Sequence, residues 1–335
     1  MNERELPRGP RIVVIGGGTG SFTLLKDLKR YVQDLTALVN MADDGGSTGQ
    51  LRDELGALPP GDVRQCLVAL SNSPRVRDLF NYRFEEGTLA GHAFGNLLLS
   101  ALEKMTGSFA EAVEGAGEIL AITGRVLPMT LDDVHLELVA PDGTVTSSQF
   151  VIQDMDFAGV RPQLRLSPPA RLNPSAKQAI MQASLIVIAP GNLYTSLAPA
   201  LLVDGVGEAL AAATARKVYV CNLVTKPGQT DGMTVSDYAA EIERFMNGPK
   251  LDYVIYNNVK PNPDLIDKYA HDGEYPVEWD DATLTKAHYR AKGLDLVARE
   301  IWQGASAGDP IAATRTFIRH DADKVARELM KTYFD

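Results

Sequence analysis

The sequence predicts a doubly wound α/β fold: a Rossmann-like parallel sheet with an inserted helical and β-hairpin subdomain. Three observations carry that prediction. Four segments repeat one scheme, a short apolar strand that breaks into a Gly/Asn/Thr/Ser loop and then enters a helix. The strands are apolar runs, as strands buried on both faces must be. At 335 residues, 45% hydrophobic and 23% charged, the chain can bury a large core. The expected layout is a disordered tail over residues 1–10, then a single domain over 11–335 with an insertion at about 60–165.

The first unit is residues 11–15, a buried strand that runs into Gly16-Gly17-Gly18-Thr19-Gly20-Ser21, with a helix expected from near Ser21. Strand, glycine loop and helix N-terminus together make an anion site, because unpaired N–H groups and the positive end of the helix dipole point at one spot. Against the G-x-G-x-x-G fingerprint Gly16 and Gly18 match, but the third glycine is replaced by Ser21 and no Walker lysine follows. A tight strand-to-helix turn is the structural alternative.

The second unit ends in Asn40-Met41-Ala42-Asp43-Asp44-Gly45-Gly46-Ser47-Thr48-Gly49. Glycines admit backbone N–H groups close to an anion, Ser47 and Thr48 add hydroxyls, and Asp43 with Asp44 can hold Mg²⁺ or a sugar hydroxyl. In an enzyme, Asp43 and Asp44 are the catalytic candidates.

Residues 62–122 read as mainly helical. Asp62 and Gln65 resemble a capping box at the head of a helix that buries Val63, Cys66, Leu67 and Leu70. His92 and Asn96 share a face where the next helix begins, so His92 is either its cap or a ligand contact. Residues 111–120 form a short helix, and residues 134–152 alternate and turn at Pro141-Asp142-Gly143, which predicts a β-hairpin.

The main sheet resumes with residues 185–189 into Pro190-Gly191-Asn192-Leu193-Tyr194-Thr195-Ser196, and then residues 218–222 into a loop that holds Asn222, Thr225, Thr230 and Asp231. A fifth strand, residues 253–256, ends at Asn257-Asn258. Such loops all emerge at the carboxyl edge of a parallel sheet and converge on one crevice. From Asp264 on the chain reads as helical and polar, ending with Arg319 ahead of a last amphipathic helix over residues 322–333. Arg319 offers a forked, permanently charged donor for phosphate, a salt bridge to Asp321 being the alternative.

A net charge of −10 argues against nucleic acid or an anionic membrane as partner, while leaving room for a local basic pocket. Cys66 and Cys221 are the only cysteines, so neither a disulfide framework nor a zinc site is indicated. No run approaches the ~18 apolar residues of a membrane span, and the first ten residues carry no apolar signal-peptide core, so a cytosolic protein is expected.

Several segments together are highly specific: Val14 to Gly20, Ala42 to Gly49, Pro60-Gly61-Asp62-Val63-Arg64, Gly95-Asn96-Leu97, Val126 to Thr130, Ala189 to Ser196, Asn222 to Gly232, and Ile318-Arg319-His320-Asp321. On these the chain resembles the YvcK/CofD-like family, also called gluconeogenesis factors, almost end to end. The resemblance implies one crevice used in two ways. The CofD branch transfers a phospholactyl group to a deazaflavin. The YvcK branch is tied to cell-wall precursor supply, cell shape and growth on gluconeogenic carbon, and is implied to bind UDP-sugars such as UDP-N-acetylglucosamine.

The loop over residues 225–232 and the Arg319-His320-Asp321 ending are closer to the YvcK branch. Some relatives carry Thr directly after that triplet as a candidate phosphorylation site, and here the position is Ala322. The expected ligand is a UDP-sugar or another nucleotide, with Mg²⁺ at Asp43 and Asp44 and NAD disfavoured. Its expected contacts are Gly16, Gly17, Gly18, Thr19, Gly20, Asp43, Asp44, Gly45, Gly46, Ser47, Thr48, Asn96, Gly191, Asn192, Tyr194, Thr195, Ser196, Asn222, Thr225, Thr230, Asp231 and Arg319. The expected partners are an enzyme of cell-wall precursor synthesis and a second copy of the chain. A non-catalytic regulator is the first reading, and a Mg²⁺-dependent transferase acting on a nucleotide-diphosphate donor is the alternative.

Overall fold

A computed structural model of the chain describes residues 9–298 and 318–335, so most of the tail expected over residues 1–10 lies outside the described residues. Seven strands form one parallel sheet: β1 Ile12–Gly16, β2 Leu35–Val39, β3 Arg125–Pro128, and later in the chain β7 Leu185–Ile188, β8 Arg216–Val220, β9 Tyr253–Asn257 and β10 Arg290–Leu294. Between them β4 His135–Val139, β5 Val145–Ser147 and β6 Gln163–Ser167 make a small antiparallel sheet in the order β5-β4-β6. The large sheet runs β10-β9-β8-β7-β1-β2-β3. Strand β1 is therefore the switch point, paired with β2 on one side and β7 on the other, and a crevice must open where the following loops part.

The helices are α1 Gly18–Leu28, α2 Gly46–Leu55, α3 Gly61–Leu70, α4 Pro74–Asn81, α5 Phe94–Thr106, α6 Phe109–Ile119, α7 Gln149–Ile152, α8 Pro174–Gln182, α9 Ala198–Leu201, α10 Val206–Ala212, α11 Val235–Met246, α12 Pro263–Ala270, α13 Asp281–Lys286 and α14 Ala322–Phe334. Because strand side chains alternate, Ile12 and Val14 enter one core with α1, α3, α6 and α14, while Val13 and Ile15 enter the other with α8, α10 and α11. Every residue of β1 and β2 is buried, as two covered faces require. Among the described residues no helix is long and apolar enough to cross a membrane.

Four differences from the sequence reading are physical. The interval 60–165 is not one insertion: α3 to α6 cover a face of the main sheet, β3 joins that sheet beside β2, and only the small sheet with α7 stands outside it. Helix α1 starts at Gly18, three residues before the expected Ser21, because the glycine loop is itself the first turn. Residues 290–294 form an edge strand rather than helix. Its Lys292 lies 5.1 Å from the Tyr253 ring centroid and bonds Asp335, so cation–π contact and ion pairing stand in for an apolar run. Finally, α5 has Ala93 at its N-cap with no side-chain cap, so His92, although buried, does not cap it.

Candidate functional site at the switch point

Glycine-loop backbone and acidic side chains meet at the start of α1. The Gly18 N–H donates to Asp62 Oδ1 at 3.0 Å, and a β-carbon at Gly17 would collide with Asp62 Oδ2. Only glycine lets this carboxylate press against the loop. Asp62 is the functional residue that the sequence reading missed. It is not the cap of its own helix, since α3 has Pro60 at its N-cap with no side-chain bond; its carboxylate crosses to α1 instead.

Asp43 lies beside it. Its Oδ1 accepts from the Gly45 N–H at 3.1 Å, Thr48 hydrogen-bonds the same carboxylate, and a β-carbon at Gly61 would lie 2.8 Å from Asp43 Oδ2. Burial raises the Asp43 carboxyl above its ordinary range. Burial, with the Asp43 charge second, pushes Asp62 up to about 7. Two carboxylates that repel each other in a desolvated niche need a proton or a cation between them. Arg64 draws Asp62 down somewhat, and its own guanidinium is oriented by Asn96 Oδ1 at 3.0 Å and Asn81 Oδ1 at 2.6 Å. Asn96 thus acts through Arg64.

Asp44 does something else. Its carboxylate accepts from Ser148 Oγ at 3.1 Å, Gln149 N at 3.0 Å and Phe150 N at 2.8 Å, which anchors the first turn of α7 to the end of β2. Three donors leave it little capacity for a metal, so the expected Asp43–Asp44 pair becomes Asp43–Asp62. Two carboxylates suit Mg²⁺, which is held by one or two of them together with substrate phosphates and water. Among the described residues no group of three or more His, Cys, Asp or Glu could hold a metal on its own. Gly46 opens α2, and the Ser47 side chain lies outside the described residues.

On the opposite flank a cavity of about 150 Å³ is lined by Thr19, Gly20, Gly191, Asn222, Arg319 and His320, among others. The Asn222 amide donates to Gly191 O at 2.8 Å and its Oδ1 accepts from Tyr219 Oη at 3.1 Å, which ties the loop after β8 to the loop after β7. His320 Nε2 is 3.1 Å from Cys221 O. Burial lowers its pKa to about 4, so a neutral imidazole with Nε2–H donating faces the cavity at neutral pH. Asp321 caps α14 through the Lys324 N–H at 3.1 Å.

The other expected contacts divide. Asn192 accepts from Tyr194 N and Thr195 N and so shapes the turn Leu193–Leu197. Tyr194 and Thr195 are buried, the Tyr194 ring lying 5.4 Å from Phe157 and 6.2 Å from Phe245 by centroid. The Tyr194 ring is thus part of the core packing. Thr225 and Thr230 are buried loop braces, accepting from Tyr275 N and Lys226 N respectively. Ser196 is partly buried and Asp231 exposed. Cys66 and Cys221 are free and buried, with burial pushing both thiols up.

The fold and site define a Rossmann-like α/β protein in which glycine-loop backbone and buried carboxylates meet at the head of α1. The chain belongs to the CofD family: the model of 2-phospho-L-lactate transferase CofD matches residues 12–302. A Thermoanaerobacterium thermosulfurigenes protein is 41% identical over 327 residues, 96% of each chain. The gluconeogenesis factor of Bacillus subtilis is 38% identical over 325 residues, 96% of this chain and 97% of its own. A crystal structure of a UPF0052 family member from Bacillus halodurans superposes with a TM-score of 0.86 at 36% identity, covering 96% of this chain and 99% of that one. Family and fold thus agree with the resemblance carried by the sequence motifs.

Proposed function

We propose that this protein is a cytosolic regulator that binds a nucleotide-sugar of the UDP-N-acetylglucosamine type. Asp43 and Asp62 would hold a divalent cation, which would supply positive charge to a diphosphate received near the head of α1. Arg319 neutralises phosphate from the other flank, and Asn222 holds the two loops that shape the cavity. In this reading the bound form is seen by an enzyme of cell-wall precursor synthesis, which links the protein to cell shape and to growth on gluconeogenic carbon. The relatives' name, gluconeogenesis factor, accords with a metabolic role.

The observation that carries the proposal is the coupled acid pair set against the glycine loop, with Gly18 N–H on Asp62 at 3.0 Å and Asp62 raised to about 7. A cation between such carboxylates needs further anionic oxygens, and a diphosphate at a helix N-terminus supplies them. Regulation is preferred to transfer because the loop over residues 225–232 and the Arg319-His320-Asp321 ending resemble the YvcK branch more closely than the transferase branch. Calorimetric titration with UDP-N-acetylglucosamine, GDP, GTP and NAD, with and without Mg²⁺, tests the proposal. Tightest binding of the UDP-sugar, strengthened by Mg²⁺, is expected; tighter binding of GDP or NAD would sink it.

A further inference from the structure

The amino ends of β1, β2 and β3 lie at the edge of the main sheet opposite the crevice, and a second cavity, of about 360 Å³, opens there. Register explains which side chains meet in it. Val13 pairs with Thr36 and Thr36 with Arg125, and partners in register on neighbouring strands face the same side of a sheet. Val13 packs in the core that includes Ala176 and Ala179 of α8, so Thr36 and Arg125 stand on the face that α8 covers. Gln182, the last residue of that helix, lines the cavity beside them. Gly124 makes the approach of β3 possible, because a β-carbon there would collide with Leu35 O.

Two guanidiniums border this space. Arg11 is fixed through its backbone, its N–H donating to Ser184 Oγ at 3.2 Å and its carbonyl accepting from Ser184 N at 2.8 Å. Its Nε is 3.7 Å from Asp34 Oδ2 with both side chains open to water, a loose pair of little strength. Arg125 is exposed, and among the described residues no carboxylate lies within ion-pair distance of it; its Nη2 donates to Thr36 Oγ1 at 3.4 Å. Thr36 itself is buried. Because its oxygen accepts from Arg125, its hydroxyl hydrogen is left to donate. The cavity thus sets two permanent positive charges against one carboxylate and adds a hydroxyl donor.

We propose that this cavity is a second anion site, separate from the crevice, that takes a hydroxylated phosphate ester of the sugar-phosphate class. Forked guanidiniums suit phosphate oxygens, and the Thr36 hydroxyl supplies a further donor. Asp34, which would repel a bare anion, accepts from hydroxyls of the ester's organic part, and the Gln182 amide both donates and accepts. The volume is that of a small-metabolite site. Neither the acid pair nor Arg319 takes part, so the site is independent of the nucleotide-sugar reading.

The test is calorimetric titration of glucose 6-phosphate, glucose and succinate at low ionic strength into the wild-type protein, Arg125→Gln, Thr36→Val and Arg319→Ala, with thermal melts of each protein alone. Wild type should bind glucose 6-phosphate more tightly than succinate and should not bind glucose. Arg125→Gln should weaken glucose 6-phosphate about tenfold and Thr36→Val about threefold, whereas Arg319→Ala, altered in the crevice, should stay within about twofold. Arg125→Lys, which keeps the charge but not the fork, should recover part of the loss. Melting temperatures should hold, since Arg125 is exposed and valine suits a buried strand. No binding by wild type, tighter binding of succinate, unchanged binding in Arg125→Gln, or a loss confined to Arg319→Ala would overturn the site. A lowered melting temperature in Arg125→Gln with binding unchanged would overturn it too, by making Arg125 a counter-charge for the carboxyl end of α8.

Discussion

The two flanks of the crevice carry opposite chemistry. On the β2 side, Asp43 and Asp62 crowd together against glycine backbone and are hard to ionise. On the β8 side, Asn222, Arg319 and a neutral His320 line the cavity. A cation suits the first flank and an anion the second, and the proposed metal-bound diphosphate would satisfy both. Asp43 and Asp44 repeat the lesson at the scale of one peptide bond. Asp43 is held by the Gly45 N–H and Thr48 beside Gly61 and Asp62, whereas Asp44 holds α7.

If the β2 flank holds the cation, Asp43→Asn should have the largest effect. Loss of the Mg²⁺-dependent part of binding, roughly a hundredfold, is expected, with little change in the unliganded melting temperature. Titration with and without Mg²⁺ checks this, and equal weakening in both conditions would reassign Asp43 to a sugar or ribose hydroxyl. Arg319→Ala breaks the other flank. A charge-assisted contact is worth about 1.5–3 kcal/mol, so affinity should fall about ten- to a hundred-fold, more at low salt than at high. Unchanged affinity across a salt series would remove Arg319 from the site.

Asp44→Asn sharpens the contrast because it should barely touch the metal. An amide oxygen in place of Oδ1 keeps the acceptor for Ser148 Oγ and Phe150 N but loses the one for Gln149 N, and the charge with it, so denaturant unfolding should show a loss of about 1–3 kcal/mol. The Mg²⁺ effect on binding should survive. A lost Mg²⁺ effect at wild-type stability would return Asp44 to the metal site.

Much of this was legible in sequence because parallel-sheet strands are apolar runs and their loops need glycine. The strands at β1, β2, β7, β8 and β9 and the crevice at their carboxyl ends follow from that pattern. Strands β3, β6 and β10 carry little of it. Arg290 and Lys292 make β10 look like solvent-facing helix, and β6 lies between Pro162 and Pro168, which read as punctuation. Asp62 escaped because an acid in the first turn of a helix already has a local explanation in capping. The signal that it served another element was Gly61 directly before it, a residue whose missing side chain makes room for Asp43 and Thr48. Tyr194 erred the other way: a tyrosine in a polar loop suggests a ligand contact, and only the placement of Phe157 and Phe245 shows that its ring completes the core.

The most direct test of the acid pair is the proton count of binding. Because Asp62 is raised from 3.8 to about 7, the folded protein holds a proton there that the unfolded chain has already lost between those values. Stability from this group is therefore greatest below pH 4 and falls as pH rises towards 7. A cation must displace that proton. Calorimetry of UDP-N-acetylglucosamine with Mg²⁺ at pH 6 and pH 8, in two buffers of different ionisation enthalpy, should show binding that strengthens with pH and releases a proton near pH 6. Both effects should vanish in Asp62→Asn, whose unliganded form should melt at or above the wild type at pH 8. Mg²⁺-enhanced binding that is flat in pH, or the same proton release from Asp62→Asn, would contradict a cation shared by Asp43 and Asp62.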